Sequence, residues 1–528
     1  MAMSEFAGEA DVIIIGSGPA GVSAAWPLVN AGVRVLMLDA SDSPLPDLPT
    51  HETLADFRAD PARWRTELGA AGPLADGGVS PKLATALARA TVHGFADRAG
   101  VETENYMALG SHAAGGLSRI WGALAARYDQ SDLACFPGDA AALVAGYESV
   151  AQRIGVSGGK DITDADLASL APSVGRLARR HGRRTPSPGF RLITAPNAVL
   201  AEPRDDRLGC TACGLCLHGC SRGSIYHSAL ELPALRRFRN FRYRAGVAVQ
   251  RLAADPSGQI VEARIGTESV HFRSPVAIVA AGTLMTTSLA LRRIGLTGVP
   301  VRLESNPVGG IAFLVPDLVG RALPDRAFGL GQLFYTLALS PGIEAAGVFY
   351  GADTLPLAPV ADRMPFTRPF ALKAARALAP ALVLATTYLP GRFSDNSIQV
   401  DEDGAAGRIR ITGRQSREAE HLLSQSFSAL ARVARGRGAW AIPGSRQTLM
   451  PGADAHPAGT LPMGATSRAG TSAIGELNGA PGIFIADGAA LPVLSGRHPT
   501  LTIMANADRL GRALARRFAA TPGVARAG

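Results

Sequence analysis

Residues 11–16, DVIIIG, form an unbroken apolar run closed by glycine, the pattern of a central parallel strand buried on both faces. VSAAWPLVNAG follows with helical spacing, and VRVLMLDA is a second apolar run. Strand, helix and strand in about thirty residues predict a βαβ unit. The uncharged stretch from Ser274 to Leu291 is interrupted by Gly282 and several Thr and Ser, which predicts a buried strand followed by a helix rather than a membrane span. Ala371–Leu389 is apolar but carries Lys373, Arg376 and Pro380, and reads as a helix of a substrate-covering region. In 391–414 the period becomes two: Ile398 and Val400 alternate with polar residues, DEDG turns the chain, and Ile409 and Ile411 alternate again, predicting a hairpin. From Ala419 through Leu422, Leu423, Leu430 and Val433 the period is helical. PGIFIAD predicts a last strand and MANADRLGRALARRF a C-terminal helix, while 182–196 reads as a connecting segment. The pattern is that of an α/β chain: a Rossmann-type domain with a parallel sheet, and a second domain with a mostly antiparallel sheet and helices.

Composition narrows the function. A chain of 528 residues with 47% hydrophobic and 18% charged residues has too much core to be disordered. The net charge of +9 (53 − 44) is carried almost wholly by Arg; Lys82, Lys160 and Lys373 are the only lysines. The basic-aromatic stretch RRFRNFRYR at 236–244 leads straight into a strand and reads as solvated Arg at a sheet edge, so no nucleic-acid partner is expected. The N-terminus lacks a basic region followed by an apolar stretch and cleavage site. With five cysteines, too few for a disulfide scaffold of this size, this points to the reducing cytoplasm.

Four of those cysteines fall within eleven residues. Cys210-x2-Cys213-x2-Cys216-x3-Cys220 has the spacing of a ferredoxin run, although Ser221 stands where Pro usually follows. Three readings stay open: metal-free thiols or disulfides, an iron–sulfur cluster, or zinc held by these four residues.

The first turn of the βαβ unit reads Gly16-Ser17-Gly18-Pro19-Ala20-Gly21. Gly16 permits the tight turn, Gly18 lets a pyrophosphate approach the backbone, and Gly21 lets helix and strand pack closely. The helix N-terminus offers free N–H groups to phosphate. Asp39 closes the second strand, where a carboxylate accepts ribose hydroxyls and repels a 2′-phosphate. The fingerprint predicts a dinucleotide other than NADP.

The C-terminal block is more specific. His456-Pro457-Ala458-Gly459-Thr460 and Met463-Gly464 are followed by IFIADGAALP and GRHPTLTIMANADR. With GGLSRIWGALAARY at 115–128, AGVAVQRL at 245–252, VAAGTLMTTSLALRRIGL at 279–296 and FSDNSIQV at 393–400, the chain resembles the glucose–methanol–choline (GMC) oxidoreductases over almost its whole length. The resemblance implies FAD-dependent oxidation of an alcohol. It implies a discontinuous FAD-binding domain at 1–50, 100–130, 200–310 and 455–528, and a substrate-binding domain at 51–99, 131–199 and 311–454. Beside the fingerprint it implies cofactor contacts at Gly115, Gly116, Ser118, Val249, Ala281, Asp487, Gly488, Pro499 and Thr500. Some relatives attach flavin covalently through a His of the GGxSxHW stretch. Ile120 stands there, so the expectation is non-covalent FAD. The implied substrate is a sugar, aminosugar or polyol, with a sterol or other bulky hydroxyl compound as the alternative. An iron–sulfur-assisted dehydrogenase passing electrons to a carrier is a further one. Oxygen or an electron carrier would accept the electrons, and the resemblance does not choose between oxidase and dehydrogenase.

The chemistry needs a base. An alkyl hydroxyl is roughly as weak an acid as water, pKa ~15.7, and imidazole sits near ~6.5. Full proton transfer would cost about 12 kcal/mol at ~1.36 per unit. Proton and hydride must therefore leave together, or the oxyanion must be stabilised in a dry pocket. By resemblance, His456 is the base and His498 its partner on the same oxygen.

Overall fold

In the computed structural model, residues 10–42, 44–60, 81–184, 187–355, 357, 361, 364–402 and 407–520 are described. Five parallel strands form the first sheet, in the order Ile483–Ile485, Val276–Val279, Val12–Ile15, Val35–Leu38, Phe241–Arg244. Val12 pairs with Val276 on one side and Val35 on the other, and all four residues of the first strand are buried. The helix Pro19–Asn30 crosses between the first two strands, as the pattern predicts. The last helix, Thr500–Ala520, lies against it so closely that a Cβ on Gly511 would meet the Ala24 carbonyl at 2.5 Å. The strand and helix expected in 274–291 are Val276–Val279 and Thr283–Arg293.

The second sheet is antiparallel. Trp440–Ala441, Val308–Leu314, Leu382–Tyr388, Ile343–Gly351, Leu333–Ser340 and Phe190–Thr194 follow in that order, with Gln447–Thr448 added on Val308–Leu314. One face packs on the helices Pro172–Gly182 and Arg417–Arg435, burying Phe313, Tyr335, Val383 and Leu423. Leu382–Tyr388 alternates strictly: Val383, Ala385 and Thr387 are buried, while Leu382, Leu384, Thr386 and Tyr388 point to a cavity shared with the first sheet. The expected connecting segment 182–196 is corrected here. Its second half, Phe190–Thr194, is the edge strand, held by pairing with Leu333–Leu337, which its short mixed sequence does not announce.

The hairpin forms with Ile398 opposite Ile411 and Val400 opposite Ile409, all buried; residues 403–406 of its turn lie outside the described part. It joins Val301–Leu303 and Val101–Glu104 in a four-stranded sheet. The helix Arg417–Arg435 is capped by Ser416, whose hydroxyl accepts from Ala419 N. Ala371–Leu389 divides into the end of a helix, Arg368–Leu378, and the strand Leu382–Tyr388. The basic-aromatic stretch ends in the edge strand Phe241–Arg244, where the Arg236 guanidinium lies over the Tyr243 ring and Arg244 over Phe272. No helix among the described residues is long and apolar enough to cross a membrane.

Candidate active site

A cavity of about 1110 Å³ runs from the first βαβ turn to the antiparallel sheet. At one end Gly16, with φ +102°, turns the chain so tightly that a Cβ would sit 2.4 Å from the Ala280 carbonyl. Gly18 caps the helix Pro19–Asn30 and has nothing within 4 Å of an added Cβ, so the backbone there is open to a ligand. Gly21 does not line the cavity; its added Cβ would meet the Gly16 carbonyl at 1.9 Å, so its part is packing. The Asp39 carboxylate accepts from Ser17 N at 2.8 Å and Ser41 N at 2.9 Å, which fixes it at the strand end.

The GGLS turn closes over this end. Gly115 N donates to Ser17 Oγ at 3.0 Å, and Ser118 Oγ donates to Gly115 O at 2.6 Å while accepting from Ser228 N. Gly116, Ser118 and Ile120 line the cavity; Gly115 stands one step behind, against Ala229. Val249, Ala281, Gly488, Pro499 and Thr500 line it further along. Asp487 ties its own turn to the start of the helix Thr283–Arg293: it accepts from Gly282 N at 2.9 Å, Ala489 N at 3.1 Å and the Thr286 hydroxyl. Burial raises its pKa to about 6. A long cavity with an open glycine at a helix N-terminus and a carboxylate at the second strand fits a dinucleotide. These residues would hold FAD.

Beyond them stand the two histidines. His456 and His498, 42 residues apart in the chain, have ring centroids 5.1 Å apart, and Tyr388 lies 4.5 Å from the His498 ring. Both line the cavity. Burial lowers the His456 pKa to about 4, and burial with the neighbouring His456 lowers that of His498 well below the usual imidazole range. Both are neutral near pH 7. His498 Nδ1 is buried and has no hydrogen-bond partner among the described residues.

Two residues here have no sequence motif. Asn306 donates its amide hydrogens to Leu389 O at 2.8 Å and Ser495 O at 2.7 Å, leaving Oδ1 to face His456 Nδ1 at 2.9 Å. Oδ1 can only accept, so Nδ1 carries the imidazole proton and Nε2 holds the lone pair. Asp454 accepts from Asn306 N at 2.7 Å and stands 3.8 Å from His456 Nδ1; burial raises its pKa to about 7. Nothing in a single Asn and a single Asp, 148 residues apart, signals this arrangement. A third residue, Lys82, is half-buried against the same cavity, donates to Trp121 O, and has its pKa lowered to about 8 by desolvation.

None of the four clustered cysteines lines the main cavity. Cys216 and Cys220 border a small neighbouring pocket; Cys216 Sγ accepts from Gly329 N, and burial pushes its pKa up to about 12. Among the described residues no group of three or more His, Cys, Asp or Glu side chains is placed to hold a metal ion.

Comparison with known proteins agrees with this geometry. The family described as GMC oxidoreductase matches residues 394–507, and that described as FAD binding domain matches residues 9–51. The chain is 27% identical to 6‴-hydroxyparomomycin C oxidase of Streptomyces lividus, over 97% of this chain and 92% of that protein. It is 25% identical to paromamine 6′-oxidase of Streptomyces fradiae, over 96% and 91%. The crystal structure of pyridoxine 4-oxidase from Mesorbium loti superposes with a TM-score of 0.63 at 15% identity, over 96% of this chain and 99% of that one, and shares the fold.

Proposed function

We propose that this chain, which belongs to the GMC oxidoreductases and is an FAD-dependent enzyme acting on CH–OH groups, takes the hydroxyl proton of its substrate on His456 Nε2. The observation that carries this is the contact of Asn306 Oδ1 with His456 Nδ1, which leaves Nε2 as the basic nitrogen. His498 shares the hydroxyl oxygen and holds it in place. The O–H and one C–H bond break, a C=O bond forms, and the bound flavin supplies the acceptor for the carbon-bound hydrogen and its electron pair. Because His456 is a weaker base than free imidazole, the proton leaves in concert with that transfer. Segments 1–50, 100–130, 200–310 and 455–528 hold the cofactor, and 51–99, 131–199 and 311–454 cover the substrate. Ile120 offers no atom for a covalent flavin link.

For the substrate, the names of the two Streptomyces proteins support a sugar, aminosugar or polyol, and their being oxidases supports oxygen as acceptor. The lining of the cavity favours the bulky hydroxyl compound instead. The test is the visible spectrum of the purified protein before and after candidate alcohols are added without oxygen. Bleaching of the flavin band by an alcohol is expected. In His456→Ala the flavin content should be unchanged and bleaching slower by roughly 10²-fold; an unchanged rate places the base elsewhere. Acid precipitation of the same sample should release all the yellow colour.

A further inference from the structure

We infer that the alcohol oxidised at this site is uncharged, bulky and largely apolar. The inference rests on the histidine pair being the reaction centre and concerns the arm of the cavity beyond it. That arm is walled by the antiparallel sheet and the segments around it. Leu382 and Leu384 project from the central strand, with Leu355, Leu357, Met364 and Ile442 around them. Gly310 and Ala312, on the neighbouring strand, leave room for a ring or a chain.

Charge is absent from this wall. Between 308 and 449, no described lining residue is Asp, Glu, Lys or Arg. The charged residues that do line the cavity lie elsewhere: Asp39 and Arg98 near the βαβ turn, Lys82 by Trp121, Asp487 at the Gly282 turn, and Asp454 beneath His456. Six described polar side chains stand on it, Tyr350, Thr354, Thr386, Tyr388, Ser445 and Gln447, and several are engaged. Tyr350 OH pairs with Thr386 Oγ1 at 2.8 Å, and Ser445 Oγ is bonded to Ala312 and Ile442. An ammonium group buried here would lose its water with no carboxylate to replace it. A polyol would leave several hydroxyls without partners. Asp353 is buried and stands in the chain between the lining residues Ala352 and Thr354 but does not itself line the cavity, and Arg58 is its charged neighbour.

The experiment uses the FAD-loaded protein without oxygen. Flavin bleaching is timed with cinnamyl alcohol, 1-decanol and cholesterol in one set, and with glucose, glucosamine and paromamine in the other. The best neutral apolar alcohol should react faster than any of the second set by roughly 10–200-fold. Leu384→Gln should raise its KM about tenfold, the scale of a lost apolar contact, with flavin content unchanged. Calorimetry with the methyl ether of that alcohol, which has no proton to lose, should show a negative heat-capacity change on binding. Equal or faster bleaching by glucose, glucosamine or paromamine overturns the inference and leaves the reaction in place; if Asp353→Asn removes that advantage, Asp353 is the counter-ion. An unchanged KM in Leu384→Gln, or a heat-capacity change near zero, also overturns it. Bleaching by no alcohol of either set overturns the reaction as well.

Discussion

Burial lowers the His456 pKa to about 4, and this sets a pH profile unlike that of a free imidazole. Its basic form persists well into the acid range, so the rate of flavin bleaching should fall on the acid side with an inflection near 4, not near the ~6.5 of a free side chain. The effect on stability has the same sign. A depressed pKa in the folded state contributes stability above ~6.5 that is lost as pH falls towards 4. Asp454 acts oppositely: raised to about 7, it contributes stability below the ordinary carboxyl value of ~3.9, lost as pH rises through 7. Asp454→Asn should flatten the fall in the urea midpoint between about pH 5 and 8; a slope equal to wild type means that Asp454 is already ionised. The histidines were legible because each stands in a dense motif. Asn306 and Asp454 were not: the Asn306 contact with His456 arises only when Leu389, just past the strand Leu382–Tyr388, and the turn at Ser495 bring their carbonyls to one amide.

At the scale of elements, two glycines of one fingerprint have different duties. Gly18 faces open space and has φ −61°, which any residue adopts, whereas a Cβ on Gly21 would strike the Gly16 carbonyl. Gly18→Ala should leave the thermal midpoint of FAD-free protein unchanged while weakening FAD binding at least tenfold, the methyl standing where phosphate approaches. Gly21→Ala should destabilise the FAD-free protein itself, by about 1–3 kcal/mol as overpacking does. Equal behaviour of the two variants in the FAD-free state would refute the division. The elements themselves were legible wherever burial imposes a clear period. The βαβ unit, the hairpin with Ile398 and Ile411, and the helix Arg417–Arg435 appear where the pattern places them. Phe190–Thr194 was missed because an edge strand of five residues is specified by the neighbour it pairs with, Leu333–Leu337, and carries little pattern of its own.

For the whole molecule, the cofactor cavity is the seam between the two sheets, and residues from Ile15 to Ile503 line it. A ligand there bridges both halves and should stabilise them together. Restoring FAD to stripped protein at about 100 times its Kd should add about 2.7 kcal/mol, read as one shifted transition by near-UV circular dichroism and by tryptophan fluorescence. Two separate transitions, with one unmoved by FAD, would mean that the halves unfold independently. This seam was legible only through resemblance: no periodicity tells which distant segments share a wall.

The parallel sheet places Val276–Val279 between the first strand and Ile483–Ile485, so its outer edge is covered by a strand that lies two hundred positions later in the chain. A ribosome adding ~5–20 residues per second takes roughly 10–40 s to travel that distance. During that time the nascent chain has its nucleotide-binding strands but carries a bare row of peptide groups beside them, a template for pairing with the next chain on the same message. The order of the segments along the chain therefore sets a clock: until Ile483–Ile485 has been made, this edge of the nucleotide-binding sheet stays an open template.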